Sequence, residues 1–196
     1  LQKLQWKDFT PNSVLALQRD LKLLNAPRRI ECFDISNLQG TDTVASMVVF
    51  TDGKPNRSEY RKYRLQTQKG QDDFASMGEV ISRRYRRLLD EQGSFPDLIV
   101  VDGGKGQLTS ALTALRQIGV LRTDENMQSQ TTRENDNIIQ INTSSRYLHI
   151  IALAKRLEEI YLPGSNEPQS LPKTSSGLKL LRRIRDEAHR TAVTYH

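Results

Sequence analysis

The pattern of apolar and polar residues along the chain predicts five strands. Short runs of β-branched and aromatic residues, bounded by Pro, Gly, Asn or Asp, are typical of strands. The five predicted strands are Ile30–Ile35, Thr43–Phe50, Arg57–Leu65, Leu98–Val101 and Tyr147–Ala154. Only turns separate the first three, which predicts an antiparallel meander. Leu98–Val101 is apolar throughout, so we expect it to be a central strand covered on both faces.

Apolar residues that recur every three or four positions predict four helices between and around these strands. Thr10 precedes Pro11, a favourable pairing of a helix cap with a first helical residue. The other three predicted helices begin at Asp72 or Asp73, at Gln107, and at Ser175 or Ser176. We expect the first helix to be part of an N-terminal lead-in at 1–28, where Trp6 packs against a neighbouring element, and residues 29–196 to form the main domain.

One segment differs in composition from the rest of this domain. Arg122–Asn137 has Met127 as its only apolar side chain and is rich in Gln, Asn, Thr and Ser. Such a segment cannot bury a core face, so we expect a polar surface insertion at about 121–146. The chain also begins at Leu1 rather than Met, and it ends inside a helical pattern, which favours a fragment of a longer protein.

Composition narrows the class of protein. The 196 residues include 29 Lys and Arg against 23 Asp and Glu, a formal charge of +6 that favours polyanionic partners. The single cysteine, Cys32, excludes an internal disulfide and fits a reducing cytoplasm. No apolar run of about 18 residues is present, so no membrane span is expected.

Acidic residues stand at two of the predicted strands, Asp34 in the first and Asp102 at the end of the fourth. A carboxylate buried in a strand costs several kcal/mol unless a partner or metal compensates it. For Asp34 alone, hydrogen bonds to the following Ser-Asn turn are an equally good explanation.

A second strand that also carries an aspartate favours a shared site over a turn, and the order of the elements places the two acids side by side. Three antiparallel strands followed by helix, strand, helix, strand and helix predict a ribonuclease-H-like α/β fold: a mixed five-stranded sheet flanked by helices. In that fold the first and fourth strands are adjacent, about 4.8 Å apart, so Asp34 and Asp102 can share a divalent cation.

The last predicted helix is expected to supply a third functional group. His189 follows the buried-stripe residue Ala188, about 100° round the helix, at the edge of the core face. Two carboxylates with a histidine suit Mg²⁺ or Mn²⁺ and phosphodiester hydrolysis. His189 can be a metal ligand or a proton carrier, and a surface histidine remains an alternative.

Other motifs point less clearly to chemistry. The Gly-rich turn after Asp102 lacks the Ser or Thr and the spacing of a Walker phosphate loop. His149 lies in a predicted strand and is interpreted as a packed residue. Cys32 has apolar neighbours and no nearby histidine, which favours a core residue over a thiol nucleophile. The arginines of the second helix fit a solvated face.

Several long blocks of the chain resemble, in the right order, the C-terminal catalytic half of the UvrC family, the incision subunit of the bacterial nucleotide-excision-repair endonuclease. The blocks are RIECFDISNLQG, TVASMVVF, YRKYRL, DDFASMGEVISRRYRR, FPDLIVVDGGKGQL, IIALAKR, EEIYLPG and LKLLRRIRDEAHRTAVTYH. The resemblance implies a ribonuclease-H-like nuclease domain that makes the cut 5′ to a DNA lesion. It implies damaged double-stranded DNA and, through the full-length protein, the UvrB–DNA complex as partners.

Residue by residue, the family's Asp-Asp-His triad falls on Asp34, Asp102 and His189, and a further functional aspartate falls on Asp73. Asp73 is equally suitable as a helix cap. The residues expected to contact the DNA backbone are Arg61, Lys62, Arg64, Lys105, Arg185 and Arg190. A non-catalytic nucleic-acid-binding or scaffold domain on the same fold is the alternative. Such a module has no need for two converging carboxylates and a histidine.

Overall fold

The structure, a computed structural model, describes residues 9–37, 42–66, 73–121, 139–140, 147–156 and 158–194. Trp6 and most of the predicted insertion at 121–146 lie outside the described residues. The helices are α1 (Asn12–Leu21), α2 (Asp73–Asp90), α3 (Lys105–Gln117) and α4 (Ser176–Val193). The strands are β1 (Arg29–Asn37), β2 (Thr43–Thr51), β3 (Lys54–Pro55), β4 (Arg61–Arg64), β5 (Leu98–Asp102), β6 (Ile139–Gln140), β7 (Tyr147–Leu153) and β8 (Ile160–Tyr161).

All five predicted strands contribute to one mixed sheet, in the spatial order β4-β2-β1-β5-β7. β1 is antiparallel to β2 and parallel to β5, and β5 is parallel to β7. This is the expected ribonuclease-H-like arrangement, with the first strand beside the fourth. The added strands β3 and β8 have only two residues each, too few for an alternating pattern to reveal. β6, also of two residues, lies within Ile138–Ile141, a stretch that the sequence predicts to be a short strand or a stiff return.

Helices cover both faces of the sheet and create two cores. Phe33 of β1 packs in a cluster with residues of α2 and α3, whereas Ile30 and Cys32 pack in a second cluster with residues of α1 and α4. Because side chains alternate along a strand, Asp34 lies on the same face as Cys32, towards α4. Cys32 is fully buried, as its apolar neighbours predict.

The two helices on this face approach each other closely. A Cβ atom on Gly177 of α4 would lie 2.7 Å from the backbone nitrogen of Leu17 in α1, so only glycine fits there without a shift. Ser175 lies at the predicted start of α4 and caps it, since its Oγ accepts a hydrogen bond from the backbone N–H of Gly177 at 3.0 Å.

The division of the chain into a lead-in at 1–28 and a main domain at 29–196 stays a prediction.

Two local expectations were wrong. The predicted strand Arg57–Leu65 begins with a turn of 3₁₀ helix at Arg57–Glu59, and only Arg61–Arg64 pairs with β2. Thr10 does not cap α1: Pro11 occupies the cap position, and the Thr10 hydroxyl accepts a hydrogen bond from Arg28 at 2.6 Å. A tertiary contact thus replaces the local one. No described helix is both long and apolar enough to cross a membrane.

Candidate active site

Asp34 and Asp102 meet at the carboxyl end of the parallel strands β1 and β5. The two strands pair as far as Phe33 and Val101, and one further step of the same register brings Asp34 opposite Asp102. Both side chains are buried, with 4% of Asp34 and 7% of Asp102 exposed. The predicted convergence of the two acids is therefore present in the fold.

The surroundings of the two acids disfavour their charged forms. Burial raises the pKa of Asp34, and the nearby charge of Lys155 opposes that rise. Burial and the neighbouring charge of Asp34 together raise the pKa of Asp102 to about 6. Both carboxyl oxygens of Asp102 are buried without a hydrogen-bond partner among the described residues. Such an arrangement is costly unless a ligand satisfies it.

Helix α4, which packs on the face of the sheet that carries Asp34, places His189 beside the two aspartates. Its Nδ1 lies 3.3 Å from Oδ2 of Asp34, within hydrogen-bonding distance, while 52% of its side chain stays exposed. One residue earlier, the carbonyl of Ala188 accepts a hydrogen bond from Ser46 Oγ at 2.9 Å, which ties this turn of the helix to β2. The predicted triad thus comes together, with the histidine against one aspartate.

A cavity of about 250 Å³ opens above the two aspartates. Asp34, Asp73 and Asp102 line it together with Gln107 and Lys155. The turn after β5 also lines the cavity, and in it the backbone N–H of Gly104 donates to the Gln107 side chain at 3.1 Å. A Cβ atom on Gly103 would lie 2.7 Å from that side chain, so any larger residue at this position would have to displace Gln107.

The donor set of the cavity fits a divalent cation at the two buried aspartates. Hard oxygen ligands suit Mg²⁺ or Mn²⁺, and a cation would satisfy the two unpaired oxygens of Asp102. Within the described part of the chain, no three His, Cys, Asp or Glu side chains are grouped so as to hold a metal ion. His189 contacts Asp34, and its expected role as a metal ligand or proton carrier stays a prediction.

Asp73 lies at the first position of α2, and its exposed side chain lines the cavity. This placement is compatible with both sequence interpretations, the helix terminus and the secondary site residue.

The cations expected to contact DNA differ in their present partners. Lys105 Nζ donates to Asn166 Oδ1 at 2.7 Å, and Arg190 donates to both carboxylate oxygens of Glu187 at 3.0 and 2.7 Å. Only 16% of the Arg185 side chain is exposed, and its positive charge lowers the pKa of Asp102, opposing the rise caused by burial. None of the three lines the described cavity.

The remaining expected DNA contacts are on β4, at the side of the sheet beyond β2. Lys62 pairs with Ser46, which pairs with Asp34, so these three residues form one cross-strand row on the face towards α4. Arg61 and Arg64 are exposed beside it. Arg61 donates to the Tyr60 carbonyl at 2.8 Å, and Arg64 lies 3.8 Å from Asp42.

Lys155 is a site residue that the sequence interpretation missed. It follows β7, whose Leu153 pairs with Asp102, and so it stands at the same edge of the sheet as the acids. The rule that parallel strands end at a common edge could have identified it. His149, by contrast, is buried at the opposite end of β7 as expected, where its Nε2 accepts the Leu24 N–H at 3.3 Å.

Comparison with known proteins places the chain in a family. The UvrC RNAse H endonuclease domain matches residues 18–193. The UvrABC system protein C of Flavobacterium johnsoniae is 45% identical over 94% of the chain, and that of Chlorobium chlorochromatii is 48% identical over 92%. The chain spans 27% and 25% of the length of these two relatives, about a quarter of each.

A solved structure with a related shape is that of human ENDOV. It is 13% identical to this chain, with a TM-score of 0.43, and the match covers 91% of this chain and 89% of that protein. At this level of similarity nothing follows for the chemistry of the site.

Proposed function

This chain belongs to the UvrC RNAse H endonuclease domain family, and we propose that it hydrolyses a phosphodiester bond of damaged double-stranded DNA, on the 5′ side of the lesion. The observation that carries the proposal is the pair of buried aspartates, with Asp102 unpaired and a histidine 3.3 Å from Asp34. A scaffold domain has no use for such an arrangement, since it lowers the stability of the fold.

Asp34 and Asp102 would hold Mg²⁺ or Mn²⁺. When bound there, such an ion supplies a positive charge that polarises the phosphate and makes water a stronger nucleophile at neutral pH. The protein contributes the rigid placement of both carboxylates on adjacent strands and their removal from bulk water. Both factors strengthen the electrostatic attraction of the carboxylates for a bound cation.

In this proposal His189 transfers a proton during hydrolysis. When its Nδ1–H donates to Asp34, the ring orientation is set and Nε2 is left as the proton acceptor. Nε2 can then take a proton from the attacking water or exchange one at the leaving oxygen. In hydrolysis the water oxygen forms a bond to phosphorus, the bond to the leaving deoxyribose oxygen breaks, and that oxygen takes up a proton.

The DNA backbone would lie across the α4 face of the sheet. Arg61 is exposed but pairs with Met47, on the opposite face of the sheet. Lys62 shares a cross-strand row with Asp34, Arg64 lies on the same face of β4, and both side chains are exposed. Contacts from these cations to phosphates give affinity and register without reading sequence, which suits a substrate defined by damage. In the longer relatives, UvrB bound to the damaged DNA is the partner we expect to present the strand.

An Asp34→Asn variant tests the proposal. We expect incision of a lesion-containing duplex to fall at least about a thousandfold, because the pair loses one charged ligand. Affinity for the duplex in Ca²⁺ should stay within about threefold, since phosphate contacts elsewhere dominate it. The matched control is Asp186→Asn, an exposed acid of α4. Equal loss of incision and DNA affinity in Asp34→Asn would favour the non-catalytic binding domain.

A further inference from the structure

Lys155 is the one basic side chain among the described residues that line the cavity above the aspartates. Its neighbours there include three acids, Asp34, Asp73 and Asp102. A phosphodiester that enters a cavity with this lining meets net negative charge. A cation bound by the two buried acids offsets part of that charge. A further positive group is needed beside the phosphate itself.

The position of the Lys155 ammonium suits contact with a bound anion. Its charge acts on both Asp34 and Asp102, so it lies close to both. It nevertheless forms no salt bridge with either, which places it more than 4.0 Å from their oxygens. Among the described residues it has no hydrogen-bond partner. Its donors are therefore available to an anion that enters the cavity which Lys155 and the two acids line.

The other cations near the site are less suited to this task. Lys105 is hydrogen-bonded to Asn166, and Arg190 is paired with Glu187. Arg156, the next residue after Lys155, is exposed but does not line the cavity.

We propose that Lys155 contacts a non-bridging oxygen of the scissile phosphate and stabilises the charge on it during hydrolysis, an inference that rests on the nuclease function proposed above. The role is electrostatic: the ammonium keeps its proton throughout. Water remains the co-reactant, and the leaving oxygen takes its proton from His189 or from solvent water. A charge-assisted donor aimed at a phosphate oxygen is expected to be worth about a hundredfold in rate.

The test compares Lys155→Gln, Lys155→Arg and the neighbouring control Arg156→Gln in this chain. Incision of a lesion-containing duplex in Mn²⁺ should fall about 100-fold in Lys155→Gln, but less than about tenfold in Lys155→Arg, because arginine retains the charge. Arg156→Gln should stay within about threefold of the unaltered chain. A proton-donating lysine would not be rescued by arginine, so equal losses in both Lys155 variants would overturn the electrostatic role.

Two binding measurements separate phosphate contact from a structural role. Titration with Mn²⁺, followed by electron paramagnetic resonance, should give equal or tighter binding in Lys155→Gln, because a like charge near the acids is removed. Affinity for inorganic phosphate in the Mn²⁺-loaded chain, followed by ³¹P relaxation, should weaken about tenfold. Parallel loss of Mn²⁺ binding, or unchanged phosphate affinity, would overturn the inference.

The same data distinguish failure of the inference from failure of the proposed function. If the unaltered chain incises DNA and Lys155→Gln does so equally fast, the inference fails and the nuclease function stands. If phosphate binding depends on Lys155 while the unaltered chain leaves every duplex intact, the phosphate contact stands and the nuclease function fails for this chain.

Discussion

Glu31 and Asp34 are buried acids three residues apart on β1, and their surroundings differ completely. Glu31 is 0% exposed, and its Oε1 accepts hydrogen bonds from Arg84 Nε at 3.1 Å and Nη2 at 3.0 Å. Burial raises the pKa of Glu31, and the charge of Arg84 opposes the rise. Asp34, on the opposite face, contacts a histidine and lies beside Asp102, whose two oxygens have no partner among the described residues.

This difference separates an acid that is paired within the fold from the pair that we propose to bind the metal. The Glu31–Arg84 ion pair joins β1 to α2 and is complete within the protein. The Asp34–Asp102 pair has like charges, and its burial lowers the stability of the fold at neutral pH. Burial by itself therefore does not identify a site. The identifying feature is burial without compensation.

Breaking the structural pair should have the largest effect on stability. We expect Glu31→Ala to lower the free energy of unfolding by about 3–5 kcal/mol, because the Arg84 guanidinium is left buried and unpaired. Urea denaturation measures this loss. Replacing both partners, in a Glu31→Met/Arg84→Met variant, should recover most of it. A loss below about 1 kcal/mol in Glu31→Ala would mean that the pair contributes no more than a surface ion pair.

A His189→Gln variant tests the surroundings of Asp34, the acid that His189 contacts. We expect incision to fall by about 10²–10³-fold, the usual contribution of a proton-transferring histidine. Mn²⁺ affinity should change by less than about threefold, because in the proposed mechanism the ring contacts Asp34 and carries a proton instead of binding the metal. Isothermal titration measures that affinity. A loss of tenfold or more would identify His189 as a metal ligand instead.

Asp102→Asn should show that the functional pair destabilises the empty fold. The folded-state pKa of Asp102 is about 6 against 3.8 for the free side chain. The folded state thus binds the extra proton between these values, and stability rises as pH falls through that window. At pH 7 we expect the free energy of unfolding of the variant to be about 1–3 kcal/mol higher than that of the unaltered chain. The variant should also lose this pH dependence of stability.

The same titration predicts how metal binding responds to pH. Protons compete with the cation at Asp102, so Mn²⁺ affinity should fall about tenfold per unit below pH 6. Affinity that stays constant from pH 7 to pH 5 would contradict both the raised pKa and the role of Asp102 as a ligand.

The amino end of the parallel strands should respond to pH in the opposite direction. Burial lowers the pKa of His149 to about 4 from 6.5, so the unfolded state binds more protons between these values. Stability from this group is present above pH 6.5 and is lost as pH falls towards 4. In an Asp102→Asn background, which removes the opposing slope, we expect about 1–2 kcal/mol to be lost by pH 5. Adding His149→Gln should flatten the profile, and a persisting slope would assign the effect to another group.

Much of the fold followed from local patterns. The apolar runs that became β1, β2, β5 and β7 are long enough to bury whole strands, and the periodic segments of α2, α3 and α4 match one buried helix face each. Arg57–Glu59 was missed because a polar stretch beside a strand carries no signal that separates a 3₁₀ turn from a strand. Thr10 was misread because its hydroxyl is used by Arg28, a partner 18 residues away.

The order of the elements and the residue types at the strand ends follow from local patterns in the sequence. These patterns predicted that Asp34 and Asp102 meet on adjacent strands. For His189 they left a surface histidine as an alternative, and the family resemblance was needed to place it in the triad. Which of these charges are compensated depends on contacts that form only in the folded chain. Glu31 is paired by Arg84 from α2, Lys105 and Arg190 are held by Asn166 and Glu187, and Lys155 faces the cavity. These outcomes depend on contacts between distant segments, which no local pattern encodes.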